Sequence, residues 1–420
     1  AGLEQGKEYL LSSAEDKSAI ENALGISLPE VGATEAVLDF TSLLPQLMTN
    51  KGATVTSTIE VDVKANNRWA SEDATVNRVY TLKCNKPEFS IVTNPGNFWC
   101  KEFSVDSCDI KTGDIETISQ KIQYQYRKKG DEQWIDCDRL VQFDDYPVDK
   151  QYQIRAVYRE GIETEPVDVV LETPQQLPNS DMEEWYIEEK KKSGTWPSKD
   201  KTYYTFHPYA EGNASSSWWA TNNDKAQGGT YAFGIWYEGC FASCVSYTED
   251  AHGGTKAALM YLSGCGDGYA NTAGTYVGGA MVGSLFIGTY DSGIIQGHDF
   301  GSRPTSMSFW YKYKPYNSDA FKVVVSLKNG DREIATGTYE PAASSEENGE
   351  YGHATVDFNY TEPFEKATSI CVQFLASNKT SLSQSDFDLG TTITYPVIGD
   401  WTVHMGSILK IDDISLAFDK

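Results

Sequence analysis

The sequence predicts an all-β protein built from sandwiches. Three observations carry that prediction. β-branched and aromatic residues alternate with polar ones at period two, as in STIEVDVKA, KIQYQYRK, SMSFWYKYK and FKVVVSLK. The segments between such runs are rich in Gly, Asn, Asp and Ser, the residues of tight turns. Helical periodicity is scarce. At about 150 residues per domain, the 420 residues suggest two to four domains.

The elements follow in order. SSAEDKSAIENALG is the best helix: Ser12-x-x-Glu15 has the spacing of a capping box, Ile20, Ala23 and Leu24 form an apolar stripe, and Gly25 can close it. SLLPQLM near 42–48 offers one more helical turn. The strand TVNRVYTLKC ends a first unit, and a boundary falls near Cys84–Pro87. A second unit closes on YQIRAVYREGIETEPVDVVLET, a hairpin turning at Glu160-Gly161, and TPQQLPNS after it reads as a linker. From Asn179 onward AALMYL, SMSFWYKYK, FKVVVSL, ATVDFNY, SICVQFLA and ILKIDDISLAF supply six strands. A sandwich of that size buries a sizeable core unaided.

Composition excludes several function classes. Sixty acidic against 35 basic residues give a net charge of −25, which repels nucleic acid, anionic membranes and polyanionic sugars. No apolar run reaches the roughly 18 residues that span a membrane. The eight cysteines show no CxxC pattern, so a zinc site is not expected and no disulfide pairing is assigned. Cys371, in SICVQF, reads as a small buried hydrophobe. There is no G-x-S-x-G elbow, no HExxH and no phosphate-loop lysine. The five histidines read as surface or turn residues, and Arg303 in FGSRP as half of a structural ion pair with an acid such as Asp299.

Three resemblances refine the architecture. The turn Gly161-Ile162-Glu163-Thr164-Glu165-Pro166 after a Tyr-rich strand resembles the closing hairpin of a fibronectin type III domain. The unit before it resembles a variant immunoglobulin-like domain. The C-terminal segment resembles the carbohydrate metabolism domain family of surface lipoproteins in gut-dwelling Gram-negative bacteria. That likeness rests on NSDMEEW, WWATNND, AHGGTKAALMYL, GSLFIG, FGSRPTSMSFWYKYKP and VHMGSILKIDDISLAF, in the family's order. The resemblance implies a jelly roll. The expected organisation is therefore an immunoglobulin-like domain over 1–84, a fibronectin type III-like domain over 85–175 and a jelly-roll β-sandwich over 176–420. It also implies an exported monomer at the cell surface or outer membrane, lipid-anchored through a residue upstream of this chain.

Two candidate sites follow. NSDMEEW and IDDISL resemble the first and last strands of jelly-roll carbohydrate-binding modules, where a glutamate and an aspartate bind a structural calcium. Carried over by position, Glu183 and Asp412 are the implied ligands, with carbonyls from His252-Gly253-Gly254-Thr255 and with Asp181 and Asp413 as alternates. The second site is aromatic. Flat rings with polar tips match the faces and edges of sugars. Trp218, Trp219 and Asn222 of WWATNND, with Trp236, Tyr237 and Glu238 of GIWYEG, are the leading ligand contacts, and alternation sends the two adjacent tryptophans to opposite faces. Tyr311 and Tyr313 add rings on one face. The expected function is non-catalytic binding of a neutral glycan. The alternatives are a glycoside hydrolase using a carboxylate pair from Asp224, Glu238, Asp267 and Asp299, and an adhesin or spacer protein.

Overall fold

A computed structural model describes residues 3–4, 6–33, 35–39, 42, 54–65, 74–85, 87–158, 162–194, 200–227, 241–264, 279–341 and 349–420. Strand outweighs helix 45% to 9%, so the class is all-β, as the alternation predicts. The described backbone groups into two compact units. One comprises Ala1–Pro95, Phe103–Val141 and Gln151–Val170; the other comprises Gly96–Glu102, Gln142–Lys150 and Leu171–Lys420. The turn at Glu160-Gly161 and most of SLLPQLM lie outside the described residues.

In the first unit, Ala14–Leu24 is helical. Its cap is Ser13, one residue later than the spacing predicts, because the Ser13 side chain accepts from the Asp16 amide while Asp16 reaches back to the Leu10 amide. Gly25 closes the helix in the left-handed region, at φ 62°. Thr54–Ala65 and Ala74–Asn85 pair antiparallel from Thr54↔Asn85 to Ala65↔Ala74. A four-stranded antiparallel sheet runs Val167–Val170, Gln151–Tyr158, Ile122–Lys128, Ile135–Cys137. Along Gln151–Tyr158 every second side chain is buried, which sends Tyr152, Ile154, Ala156 and Tyr158 into the core beside Phe89 and Phe103. On the outer face Trp134 lies between the guanidinium groups of Arg127 and Arg155, at 4.4 and 4.1 Å.

The second unit is a two-sheet sandwich with antiparallel pairing throughout. One sheet runs Val245–Thr248, Ala257–Ser263, Gly399–Ala417, Ser306–Lys314, Gly352–Asp357. The facing sheet runs Trp219–Thr221, Ser284–Tyr290, Ser369–Leu375, Lys322–Asn329, Arg332–Tyr339, Asn359–Tyr360. Between them pack Trp219, Leu285, Ile287, Phe309, Phe321, Val325, Phe374, Leu409 and Ile411. The stretch 173–180, linker-like in composition, is docked rather than free. Gln176 exchanges two hydrogen bonds with the Leu416 backbone, Leu177 is buried, and Ile414 N–H donates to Ser180 O. Polar side chains here replace a strand ladder, so polarity alone misreads the segment.

Arg303 does form a structural ion pair, but not with Asp299. Asp299 lies on the exposed His298–Asp299 bridge to Ser369. The Arg303 side chain instead turns inward and is wholly buried, its Nε 2.8 Å from Glu172 Oε1. Its Nη1 donates to Pro363 O and its Nη2 to Phe98 O, and its plane lies 3.7 Å from the Trp99 ring centre. Lys366 Nζ reaches the same Glu172 oxygen at 2.7 Å. Burial pulls the Lys366 ammonium below its usual range, against the attraction of Glu172. Cys100, Cys108, Cys137, Cys244 and Cys371 carry free thiols, and Cys371 is buried as its strand pattern predicts. Burial pushes Cys100 and Cys244 up to about 12. Cys240 and Cys265 and the side chain of Cys84 lie outside the described residues.

Breaking a buried pair strands the remaining charge, at about 3–5 kcal/mol, whereas replacing both partners with apolar residues is often neutral. Glu172→Met should therefore lower the unfolding free energy by about 3–5 kcal/mol, and Glu172→Met with Arg303→Met should recover only part of it, since the Pro363 carbonyl and Lys366 lose their partners. Denaturant titration of the three proteins checks this; a single substitution costing under about 1 kcal/mol would show the pair to be solvated.

Candidate functional site

The site is built at one edge of the sandwich, where the hairpin Tyr186–Lys192/Lys201–His207 meets the WWATNND segment. Period two places Tyr186, Glu188 and Lys190 on one face of their strand, and the register sets them opposite His207, Thr205 and Tyr203. Tyr186 stacks on His207 at 5.9 Å, and His207 stacks on Tyr209 at 5.2 Å. His207 Nε2 lies 2.9 Å from Glu188 Oε2. Lys190 Nζ joins two carboxylates, at 3.3 Å from Glu188 and 2.8 Å from Asp224. Burial opposes ionisation of Glu188, but the bonds from His207 and Lys190 hold its carboxyl below the usual range. Tyr209 is pushed up by burial and by Glu188 and Asp224.

Two open clefts flank Tyr209. The first has a volume of about 210 Å³ and is lined by Thr205, His207, Asp224, Thr289 and Tyr290 among others. The second, of about 200 Å³, is lined by Asn179, Glu184, Asn213, Ser216 and Trp218 among others. Pro208, Tyr209, Ser217 and Trp219 wall both.

Buried amides fix the walls. Asn223 Nδ2 donates to Phe206 O and Val245 O at 2.9 and 2.7 Å, and its Oδ1 accepts from Val245 N–H at 2.9 Å. Asn222 Nδ2 donates to Val282 O, and its Oδ1 accepts from Ser284 N–H. Gln227 Nε2 donates to Tyr204 O and Phe241 O. Asn179 holds the other wall: its amide bonds both Glu184 backbone groups and Pro208 O.

The sequence-predicted residues separate accordingly. Trp218 and Trp219 differ in burial, yet both wall the second cleft. Trp219 is a core residue whose Nε1 donates to Pro178 O at 2.8 Å, with its edge at the cleft floor. Trp218 is half-buried, stacked on His298 at 4.1 Å, and rims the second cleft. Asn222 is buried behind the site, its amide engaged by the backbone. Trp236, Tyr237 and Glu238, with Asp267, lie outside the described residues. Tyr313 is buried in the core and Tyr311 packs half-buried against Phe321. The sequence reading overlooks Tyr186, Glu188, Lys190, His207 and Tyr209. The alternation in YIEEKKK carried the signal, but the partner strand and its register were needed to bring the rings together.

Glu183 and Asp412 both bond the turn 252–256, but the expected pairing of first and last strands is not formed: NSDMEEW makes turns, and Gly399–Ala417 pairs with Ala257–Ser263 and Ser306–Lys314 instead. Glu183 Oε1 accepts from the Thr255 and Lys256 amides at 2.6 and 2.9 Å, and Oε2 accepts from the Thr255 hydroxyl. Asp412 Oδ2 accepts from the His252 and Gly253 amides at 2.7 and 3.1 Å. Asp413 takes His252 Nδ1 at 2.6 Å. Calcium needs six to eight converging oxygens. Here the turn presents N–H groups, not carbonyls, to both carboxylates, so the donor set does not fit that ion. Glycine is required where the chain passes closest: a Cβ on Gly254 would sit 2.1 Å from Glu183 Oε1. His252 also stacks on Trp310 at 3.8 Å, with Tyr351 edge-on, so this histidine is a packing residue of the turn.

No family model matches the chain, and no curated protein matches it. Solved structures that do match include a carbohydrate-binding module described for the promiscuous specificity of the β-sandwich superfamily. It is 8% identical over 79% of this chain and 98% of that one, with TM-score 0.24. TmCBM61 in complex with β-1,4-galactotriose is 12% identical over 48% and 88% of the two chains, with TM-score 0.23. A glycoside hydrolase family 43 arabinoxylan arabinofuranohydrolase from Bacillus subtilis in complex with cellotetraose is 8% identical over 82% and 57%, with TM-score 0.22. At such scores the likeness says nothing of this chain's ligand.

Two expectations follow from the site. Each buried group left unsatisfied costs about 1–3 kcal/mol, and Asn223→Ala strips bonds from three of them, so it should cost roughly 3 kcal/mol or more by denaturant titration. For Glu183, burial raises the carboxyl, but the Thr255 hydroxyl and the Thr255 and Lys256 amides outweigh it and hold it below its usual range. A depressed carboxyl stabilises the fold above its unfolded-state value, and that contribution is lost as pH falls through the folded-state value. Glu183→Gln should therefore lower Tm at neutral pH and flatten its fall in acid, while a chelator leaves Tm unchanged. A Tm that drops in chelator and returns with calcium would assign the two acids to a metal instead.

Proposed function

We propose that the C-terminal sandwich binds a neutral glycan, without cleaving it, in the cleft beside the Tyr186–His207–Tyr209 stack. That stack carries the reading: its His207 and Tyr209 rings border a cleft lined also by the Asp224 carboxylate and the Thr289 and Tyr290 hydroxyls, with Tyr186 stacked behind His207. Sugar recognition asks for such a ring surface with a few fixed polar groups. Glu184 and Asp224 line the clefts and, among the described residues, no lysine or arginine does, which disfavours anionic sugars, as does the charge of −25. Glycoside hydrolysis requires one carboxyl kept protonated as the acid. Glu188 is held below its usual range by the bonds from His207 and Lys190, which suits it poorly to that role and so favours binding over cleavage. The sequence resemblances extend the reading to an exported, lipid-anchored surface monomer, with the immunoglobulin-like and fibronectin type III-like segments as spacers.

Calorimetric titration with neutral oligosaccharides tests the site. The expected affinity is millimolar to micromolar, about −4 to −8 kcal/mol. Tyr209→Ala should weaken binding at least tenfold, about 1.4 kcal/mol, with little change in Tm. Preference for polyanionic glycans, or release of new reducing ends from polysaccharide, would overturn the proposal.

A further inference from the structure

The two clefts share four wall residues, Pro208, Tyr209, Ser217 and Trp219, so they adjoin across Tyr209. Ligand pockets for drug-sized molecules run about 300–1,000 Å³. Neither cleft, at about 210 and 200 Å³, reaches that range alone, and together they enter it. Each has its own aromatic and its own carboxylate: Tyr290 and Asp224 in the first, Trp218 and Glu184 in the second.

The walls are held in place without a ligand. Asn179 sits at φ 47°, in the left-handed region, and its side chain clamps Glu184 and Pro208. Gly288, on the opposite wall, has φ 140°, and a Cβ there would lie 2.0 Å from Ile295 O. Trp218 is propped face-on by His298 and edge-on by Phe300. Pre-ordered walls spare the ligand the entropy of shaping its site.

We infer that the two clefts are consecutive subsites for a single neutral oligosaccharide, which crosses Tyr209 and contacts Tyr290 on one side and Trp218 on the other. The inference rests on the glycan-binding reading of this cleft.

Chain length tests it. Ladders of one to six units of neutral glucose, galactose and xylose oligomers are titrated calorimetrically. Affinity should rise at least tenfold from one unit to four in a ladder that binds, then level off. Asn213 and Ala214 are adjacent, exposed loop residues that wall the second and the first cleft respectively. Asn213→Trp and Ala214→Trp, each with unchanged Tm, should each cut tetramer affinity about tenfold and abolish the length dependence. Binding that depends on Tyr209 but is equally tight for one unit and four overturns the tandem subsites while leaving the glycan site standing. The tandem arrangement is likewise overturned if only one of the two blocking substitutions weakens binding. Failure of every ladder to bind overturns both readings.

Discussion

Three side-chain amides hold together strands that the backbone does not pair. Asn223 joins the Lys201–His207 strand to Val245–Thr248, Asn222 closes the step between Met281–Val282 and Ser284–Tyr290, and Gln227 ties Tyr204 to Phe241. At a sandwich edge the ladders run out, and buried backbone groups there need partners from elsewhere. Amide side chains donate and accept at once, so one residue can serve two strands. The cleft floor, Tyr209 and the Trp218 rim all depend on this framework. It explains why a polar segment next to two tryptophans is mostly buried: its amides serve the backbone, while Thr221, Asn223 and Asp224 also line the first cleft.

Charge is handled in the same way throughout the second unit. Glu172 receives Arg303 and Lys366, Glu183 and Asp412 receive turn amides, and Glu188 and Asp224 share Lys190. In a chain this acidic, a buried or crowded carboxylate without a donor would be strongly destabilising. The acids that look like metal ligands or catalytic pairs in the sequence are mostly occupied as acceptors. Among the described residues, Asp224 and Glu184 are the acids that line the clefts beside Tyr209.

Much of the fold was legible. Alternation located Gln151–Tyr158, Ser306–Lys314, Lys322–Asn329 and Ser369–Leu375, because a strand with one buried face must alternate. The helix at Ala14–Leu24 was legible from its cap and closing glycine, though one residue off at the start, since Ser12 and Ser13 compete for the same role. The candidate site was legible in part: the sequence named Trp218, which lines the second cleft, and Glu183 and Asp412, which bond the turn 252–256. Tyr209 and His207 were passed over, because a Tyr-rich strand reads as packing until its partner is known.

Sequence by itself determined the class, the strand periodicity and the acidic field, all properties of composition and of neighbouring residues. Tertiary structure alone decided which groups meet across long separations: Arg303 with Glu172 instead of Asp299, N–H donors instead of carbonyls around Glu183, and Trp218 beside Asn179 and Tyr209. The reason is physical. A side chain's role depends on whether the atom facing it donates or accepts, and that is settled by strand register and turn geometry, which one sequence position does not encode.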